Sequence, residues 1–380
     1  MSDHHAVNPG PLHLALEADG EGAHPAARHL SARPPGAVLT PRAVKVTVLA
    51  AEQAGFALVT FADSPLPPDA APAGSRPAGR IEAGTRAAFV STVTDRIGLA
   101  PTLHLTTTEP FHLATQLASL DHASNGRAGW VVAAANSAED LATVGALPRS
   151  AQALRRETVD VVDTARALWD SWEDDAVIKD VVTGRYLDHT HVHPIDFEGA
   201  TFTVKGPLIT PRPPQGQVVV LAPDALDIDS RADVVLVGRA DPEAVAARAT
   251  QARSAGAALV FAELEVVLDT GGESAADRLA ELDRAGGAGG GAWPPSGRLR
   301  HVGSPAELVT LLTRLARAVD GVRLHPAVLD VDLPVLTAQV LPALAAAGLH
   351  RAPRPGDTLR TTLGLSRPAN RFAAAATATA

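Results

Sequence analysis

Eight runs of apolar residues recur along the chain and alternate with stretches of helical period: 12–17 (LHLALE), 56–63 (FALVTFAD), 97–105 (IGLAPTLHL), 127–136 (RAGWVVAAAN), 217–223 (QVVVLAP), 232–238 (ADVVLVG), 257–269 (AALVFAELEVVLD) and 321–328 (GVRLHPAV). A strand that is apolar along its whole length must be covered on both faces, which a parallel sheet flanked by helices achieves. The intervening segments carry helix punctuation. Thr40-Pro41 and Asp241-Pro242 place a cap residue before a proline, Gly55 closes one segment, and Ser304 with Glu307 forms a capping box. Eight strand–helix units are the number that closes a barrel, so the pattern predicts an α/β fold, a (β/α)8 barrel, with an open doubly wound sheet as the alternative. The polar stretch 173–214 interrupts the alternation and reads as an insertion after the fourth unit. A single domain is expected over 11–365, with 1–10 and 366–380 as disordered tails.

In such a barrel the working residues sit on the loops that follow the strands. That rule selects Glu17–Gly20, Asp63, His104–Glu109, Val131–Asn136, Ala222–Ala225, Glu263–Asp269 and His325 for inspection. A formal net charge of −9, with scattered Lys and Arg, argues against a nucleic-acid track. No apolar run approaches the ~20 residues of a membrane span, and the first ten residues lack a secretory pattern, so the expectation is a cytoplasmic protein. The chain has no cysteine, which removes disulfides and thiolate metal sites from consideration.

Three local motifs admit a sharp and a plain reading. Gly286–Gly291 (GGAGGG) lacks the strand before it and the helix within it that a phosphate cradle needs, and reads as a loop. His189, His191 and His193, spaced by two, would share one face of a strand, but Pro194 and the acidic surroundings favour a polar lid over a metal centre. Asp63 reads either as a helix cap or as a polar anchor at the barrel mouth.

Several segments together resemble the bacterial-luciferase-like flavin monooxygenases, in the branch of nitrilotriacetate, long-chain alkane and dibenzothiophene sulfone monooxygenases. They are 50–63 (AAEQAGFALVTFAD), 94–114 (TDRIGLAPTLHLTTTEPFHLA), 118–130 (ASLDHASNGRAGW) and, most specifically, 168–208, with 320–344 and 358–365 at the C-terminal end. The resemblance implies a (β/α)8 barrel, usually dimeric or tetrameric. Its ligand would be reduced FMN from a separate flavin reductase, used with O2 to oxidise a small organic substrate. It also implies that 173–214 lies over the mouth as a lid, without metal.

Carried over position by position, the resemblance matches Asp63 to an acid beside the flavin ring and Thr106 to a small hydroxyl position after the third strand. His104, His112 and His193 become the candidate catalytic groups near the substrate. The other cofactor-facing positions have changed. Val131, Ala134 and Ala135 stand where relatives carry Asn, Thr and Ser, and Ala222-Pro223-Asp224-Ala225 stands where they carry a Gly/Ser phosphate loop. Each change removes a donor. Losing about three contacts to a charged group, at ~1.5–3 kcal/mol each, would weaken FMN binding by several orders of magnitude. The resemblance therefore implies a flavin-dependent monooxygenase with altered cofactor contacts. The alternatives are a non-catalytic paralogue that serves as a binding or subunit-interaction module, and a deazaflavin enzyme.

Overall fold

A computed structural model describes residues 10–34, 36–66, 79–285 and 292–373. The eight apolar runs form eight parallel strands: β1 His13–Glu17, β2 Leu58–Phe61, β3 Gly98–His104, β4 Gly129–Ala133, β5 Val219–Pro223, β6 Val234–Val237, β7 Leu259–Leu268 and β8 Gly321–Pro326. Each pairs with its successor, and β8 pairs back to β1, so the sheet closes into a (β/α)8 barrel. The open sheet is excluded by the β8–β1 pairing, in which His13 lies opposite Gly321 and Leu16 opposite Leu324. Helices α1 Pro41–Ala54, α2 Ala83–Ser91, α3 Pro110–Ala123, α4 Ala151–Asp170, α5 Pro242–Ser254, α6 Ala275–Ala285 and α7 Pro305–Leu315 lie outside. Pro41 and Gly55 bound α1 as their chemistry requires, with Gly55 in the left-handed region, and the Ser304–Glu307 box opens α7.

Strand periodicity sorts the side chains. Leu14, Leu16, Val59, Phe61 and Leu99 face the helices, whereas Ala15, Leu58, Ala100, Val131, Leu221, Leu236 and Phe261 fill the lower bore. The bottom of the bore is stoppered by the short helix Leu359–Thr362, whose Leu359 is 1% exposed. Gly98 and Gly129 make room for it: a Cβ at Gly98 would lie 2.6 Å from a Leu359 methyl, and one at Gly129 would lie 3.2 Å from the other.

One feature departs from the sequence expectation. A ninth strand, Leu299–Gly303, pairs with the outer half of β7 beyond the barrel. Its pattern, LRHVG, is too polar to stand out as a strand. The unit after β5 has lost its helix and keeps only the 3-10 turns Asp224–Leu226 and Asp229–Arg231.

The insertion 173–214 also sits elsewhere than expected. It leaves α4 at its C-terminal end, where the Ser171 carbonyl accepts from His193 N–H. It returns through Gln215, which donates to Asp121 and to the Ala128 carbonyl just before β4. These are the strand-start ends of the barrel, opposite the mouth. Only the hairpin of Phe197–Glu198 and Thr203–Val204 climbs along α4, its turn fixed by Ala200 N–H to Asp160. Residues 366–373, expected to be a frayed tail, are anchored there as well. Arg367 pairs with Asp174, Asn370 donates to the Asp170 and Trp172 carbonyls, and Phe372 stacks on His193 at 4.6 Å. Residues 1–9, 374–380 and the glycine run 286–291 lie outside the described residues.

Among the described residues one helical stretch, Leu329–Ala346, is long and apolar enough to cross a membrane, contrary to the expectation of none. Its buried residues, including Leu333, Leu336 and Leu344, belong to the core cluster around the barrel.

Leu359→Ala should lower unfolding stability by about 2–5 kcal/mol, because the glycine-lined space beneath it cannot collapse. Urea denaturation checks this, with the midpoint falling and the slope unchanged.

Candidate active site

The mouth of the barrel holds a cavity of about 620 Å3, lined by the ends of six strands and their loops. Its wall has two chemically distinct sectors. Around β4 and β5 it is built by Val131, Ala133, Ala134, Ala135, Pro223 and Leu226, which bring no side-chain donor. Across from them, Glu17, Arg298, Arg323 and His325 line it, with Asp19 and Asp63 at the edge.

The polar sector is a consequence of strand parity. Arg323 and His325 alternate inward on β8, and Glu263 lies opposite Arg323 in the β7–β8 register. One Glu263 oxygen accepts from Arg323 at 2.5 Å and faces His325 at 3.4 Å, while the other accepts from Arg298 at 3.1 Å. Arg323 also reaches Glu17 at 3.5 Å, and Glu17 is held by Thr60 and by Ala62 N–H, both at 2.8 Å. Burial alone would push the Glu263 carboxyl up; Arg323, His325 and Arg298 outweigh it and hold it well below the usual range. Burial pulls His325 down against the opposing pull of Glu263, so its imidazole is neutral at pH 7.

The structure separates the residues singled out by sequence. His104 ends β3 and lines the cavity. Its Nε2 lies 3.1 Å from the Asp63 carbonyl, which can only accept, so Nε2 carries the proton. Nδ1 is then a bare acceptor, buried and without a partner among the described residues. Asp63 lines the cavity edge, but its oxygens accept from Ser64 and Ala83 N–H at 2.9 and 2.6 Å, the latter at the start of α2. Val131 faces the cavity and is 3% exposed.

The remaining candidates lie elsewhere. Thr106 turns away from this cavity and donates its hydroxyl to the Ala135 carbonyl at 2.7 Å, tying two loops together. Ala222 is packed behind the wall and Ala225 is exposed; their neighbours Pro223 and Leu226 line the cavity instead. His112 is exposed on the first turn of α3. His193 pairs with Glu173 at 2.8 Å at the far end of the barrel, so it is not at the mouth. His189–His191 form a 3-10 turn, with His191 on Asp175, and the three rings do not converge.

Asp224, whose carboxylate would repel a phosphate, is neutralised by Arg239 at 2.7 Å and Arg248 at 3.1 Å. Arg298 and Arg323 escaped the inspection of strand ends. Arg298 belongs to the unrecognised ninth strand's approach, and Arg323 sits inside an apolar strand.

In size the cavity suits a tricyclic ring. Its side chains do not suit a phosphate dianion, because the apolar sector has no donor and the two lining guanidiniums are committed to Glu263 and Glu17.

A closed eight-stranded βα barrel with a half-apolar, half-charged chamber at the strand C-termini is the architecture of a mouth-site enzyme. The sequence profile described as luciferase-like monooxygenase matches residues 22–288, and the chain belongs to that family. It is similar to N-acetyl-S-(2-succino)cysteine monooxygenase of Bacillus subtilis (strain 168), 28% identical over 368 residues that cover 77% of this chain and 83% of that protein. Over a shorter stretch it is 40% identical to nitrilotriacetate monooxygenase component A of Aminobacter aminovorans, across 39% of this chain and 33% of that one. Among solved structures, the EDTA monooxygenase of Chelativorans sp. BNC1 superposes with a TM-score of 0.79 at 20% identity, covering 94% of this chain and 99% of that one.

Glu263→Gln should destabilise the fold by about 3–5 kcal/mol, because it leaves Arg323 buried without its main counter-charge. Chemical denaturation measures the loss. NMR titration of the histidines should show the His325 pKa falling further, since Glu263 is what opposes its depression.

Proposed function

We propose that this chain is a flavin-dependent monooxygenase acting on a small organic substrate in the mouth cavity. The observation that carries the reading is the 620 Å3 chamber at the strand C-termini of a barrel that belongs to the luciferase-like monooxygenase family. Reduced flavin, when bound, supplies the oxygen-activating chemistry. The chain's own residues hold and shield the reactants. Val131, Ala133 and Pro223 offer a flat apolar wall for a planar ring, and the Leu359 stopper closes the bore from below. His104 lines the chamber with its Nε2 held on the Asp63 carbonyl. The Glu263–Arg323–His325 cluster fixes the polarity of the opposite wall.

The missing phosphate donors fit a flavin that is taken up and released rather than kept, as supply by a separate reductase requires. A cytoplasmic location and a homodimer or tetramer belong to the same proposal, by resemblance. The apolar β4–β5 sector also favours one second reading, a non-catalytic barrel that no longer holds flavin.

Anaerobic titration with reduced FMN, followed by fluorescence, distinguishes them. Saturable binding at micromolar concentrations, abolished by Ala133→Trp in a protein that stays folded, is the expected result. Absence of binding at millimolar FMN would leave the second reading. His104→Ala should then lower substrate turnover by about 10²–10⁴-fold if the His104 ring handles a proton, with flavin affinity little changed.

A further inference from the structure

His325 is carried inward by β8 and lines the mouth cavity, 3% exposed. Its two ring nitrogens have different surroundings. Nε2 lies 3.4 Å from a Glu263 oxygen. Glu263 is ionised, so it only accepts, and Nε2 carries the proton. Nδ1 is then a bare lone pair with no hydrogen-bond partner among the described residues. The Nδ1 of His104 is sealed from solvent, whereas that of His325 keeps accessible surface, and the cavity that His325 lines is the mouth. Of the two histidines in the chamber wall, His325 is therefore the one that shows a ring nitrogen to a ligand.

The charges around the ring are already answered. Arg323, two residues back on β8, pairs with Glu263 and Glu17. Arg298 pairs with Glu263 from the other side. Glu265, opposite His325 in the β7–β8 register, accepts from Arg300 at 2.8 Å. A protonated His325 would be a third cation around Glu263, which already serves two guanidiniums. Burial and these two arginines lower the His325 pKa, and Glu263 opposes them. The ring is thus an unprotonated base at neutral pH, held in one tautomer by a carboxylate that is itself held in place by two arginines.

We propose that His325 is a catalytic residue of the chamber, its Nδ1 taking a proton from a ligand N–H or O–H and returning it to the oxygen atom released as water, with Glu263 as its positioning residue. The inference rests on the reading of the mouth cavity as the reaction chamber. One oxygen atom of O2 goes to the substrate and the other leaves as water, with two electrons and two protons from the reduced flavin. His325 carries one proton in transit and ends unchanged.

The first test needs no flavin and no substrate. Diethyl pyrocarbonate acylates unprotonated imidazole nitrogens, and mass spectrometry locates the modified residues. In the flavin-free protein His325 should be acylated despite its burial, at a rate that rises with pH and has its midpoint below pH 6.5. In Glu263→Gln, assayed where a thermal melt shows it folded, that midpoint should move lower, because the group opposing the depression is gone. The second test mixes protein in excess over reduced FMN with O2, without substrate. Two electrons and two protons then pass to O2, giving FMN and hydrogen peroxide. The rate should fall at least about tenfold in His325→Gln at equal FMN occupancy, and the acid limb of the wild-type pH profile should vanish. A folded protein in which His325 escapes acylation, a rate in His325→Gln within about twofold of wild type, or an acid limb that persists in that variant would each overturn the proposal. Failure of FMN to bind the wild-type protein would remove the reaction chamber itself and this role with it, and the titration separates that outcome from the other three.

Discussion

Closure of the parallel sheet is the constraint on which everything else here depends. Once β8 pairs with β1, every second side chain of eight strands points into a bore that no solvent reaches from the side. The lower bore meets this demand with Ala15, Leu58, Val131, Leu221 and Phe261, and with the leucine of a separate C-terminal helix where glycines leave space. The upper bore meets it with charge. A carboxylate and a guanidinium face each other across β7 and β8 at 2.5 Å, and Glu17, Arg298 and His325 complete their coordination. Buried charge is tolerable only when reciprocated in this way. The cluster therefore fixes one wall of the mouth, and the loops around it inherit that polarity.

The result is a chamber divided by chemistry. One side is small and apolar, with the groups that would grip a phosphate absent, and the nearby Asp224 is locked by two arginines. The other side is rich in charged groups, and most of the guanidiniums are already paired. Just off the mouth, Arg86 is spent on Asp19 and the Ala62 carbonyl.

Much of the fold was legible in the sequence. All eight barrel strands were apolar enough to be read, and α1 and α7 announced their ends through Pro41, Gly55 and the Ser304–Glu307 box. The ninth strand was not, because Arg300 and His301 break its apolar run and its support comes from β7. The site was legible only by position. Counting to the ends of strands reached Glu17, His104, Glu263 and His325, all of which are in or beside the cavity wall. It also reached Thr106 and Ala225, which miss the cavity because the alternation that aims a side chain inward breaks down where a strand becomes a loop, and Ala222, which the alternation itself turns outward between Leu221 and Pro223. His193 stood out by its pattern, yet it lies at the opposite end of the barrel, since an insertion between a helix and the following strand emerges where strands begin.

The sequence by itself determined the repeating unit, the closing number and the loops on which chemistry has to sit, because hydrophobic period and end signals are local properties of a chain. Only the tertiary structure decided which charges meet. Arg86 of the second helix meets Asp19 from the loop after the first strand, and Arg323 of the eighth strand meets Glu263 of the seventh, and nothing in their neighbourhoods along the chain says so. Electrostatic partnership and cavity walls depend on distances across the barrel, and those distances exist only after the sheet has closed.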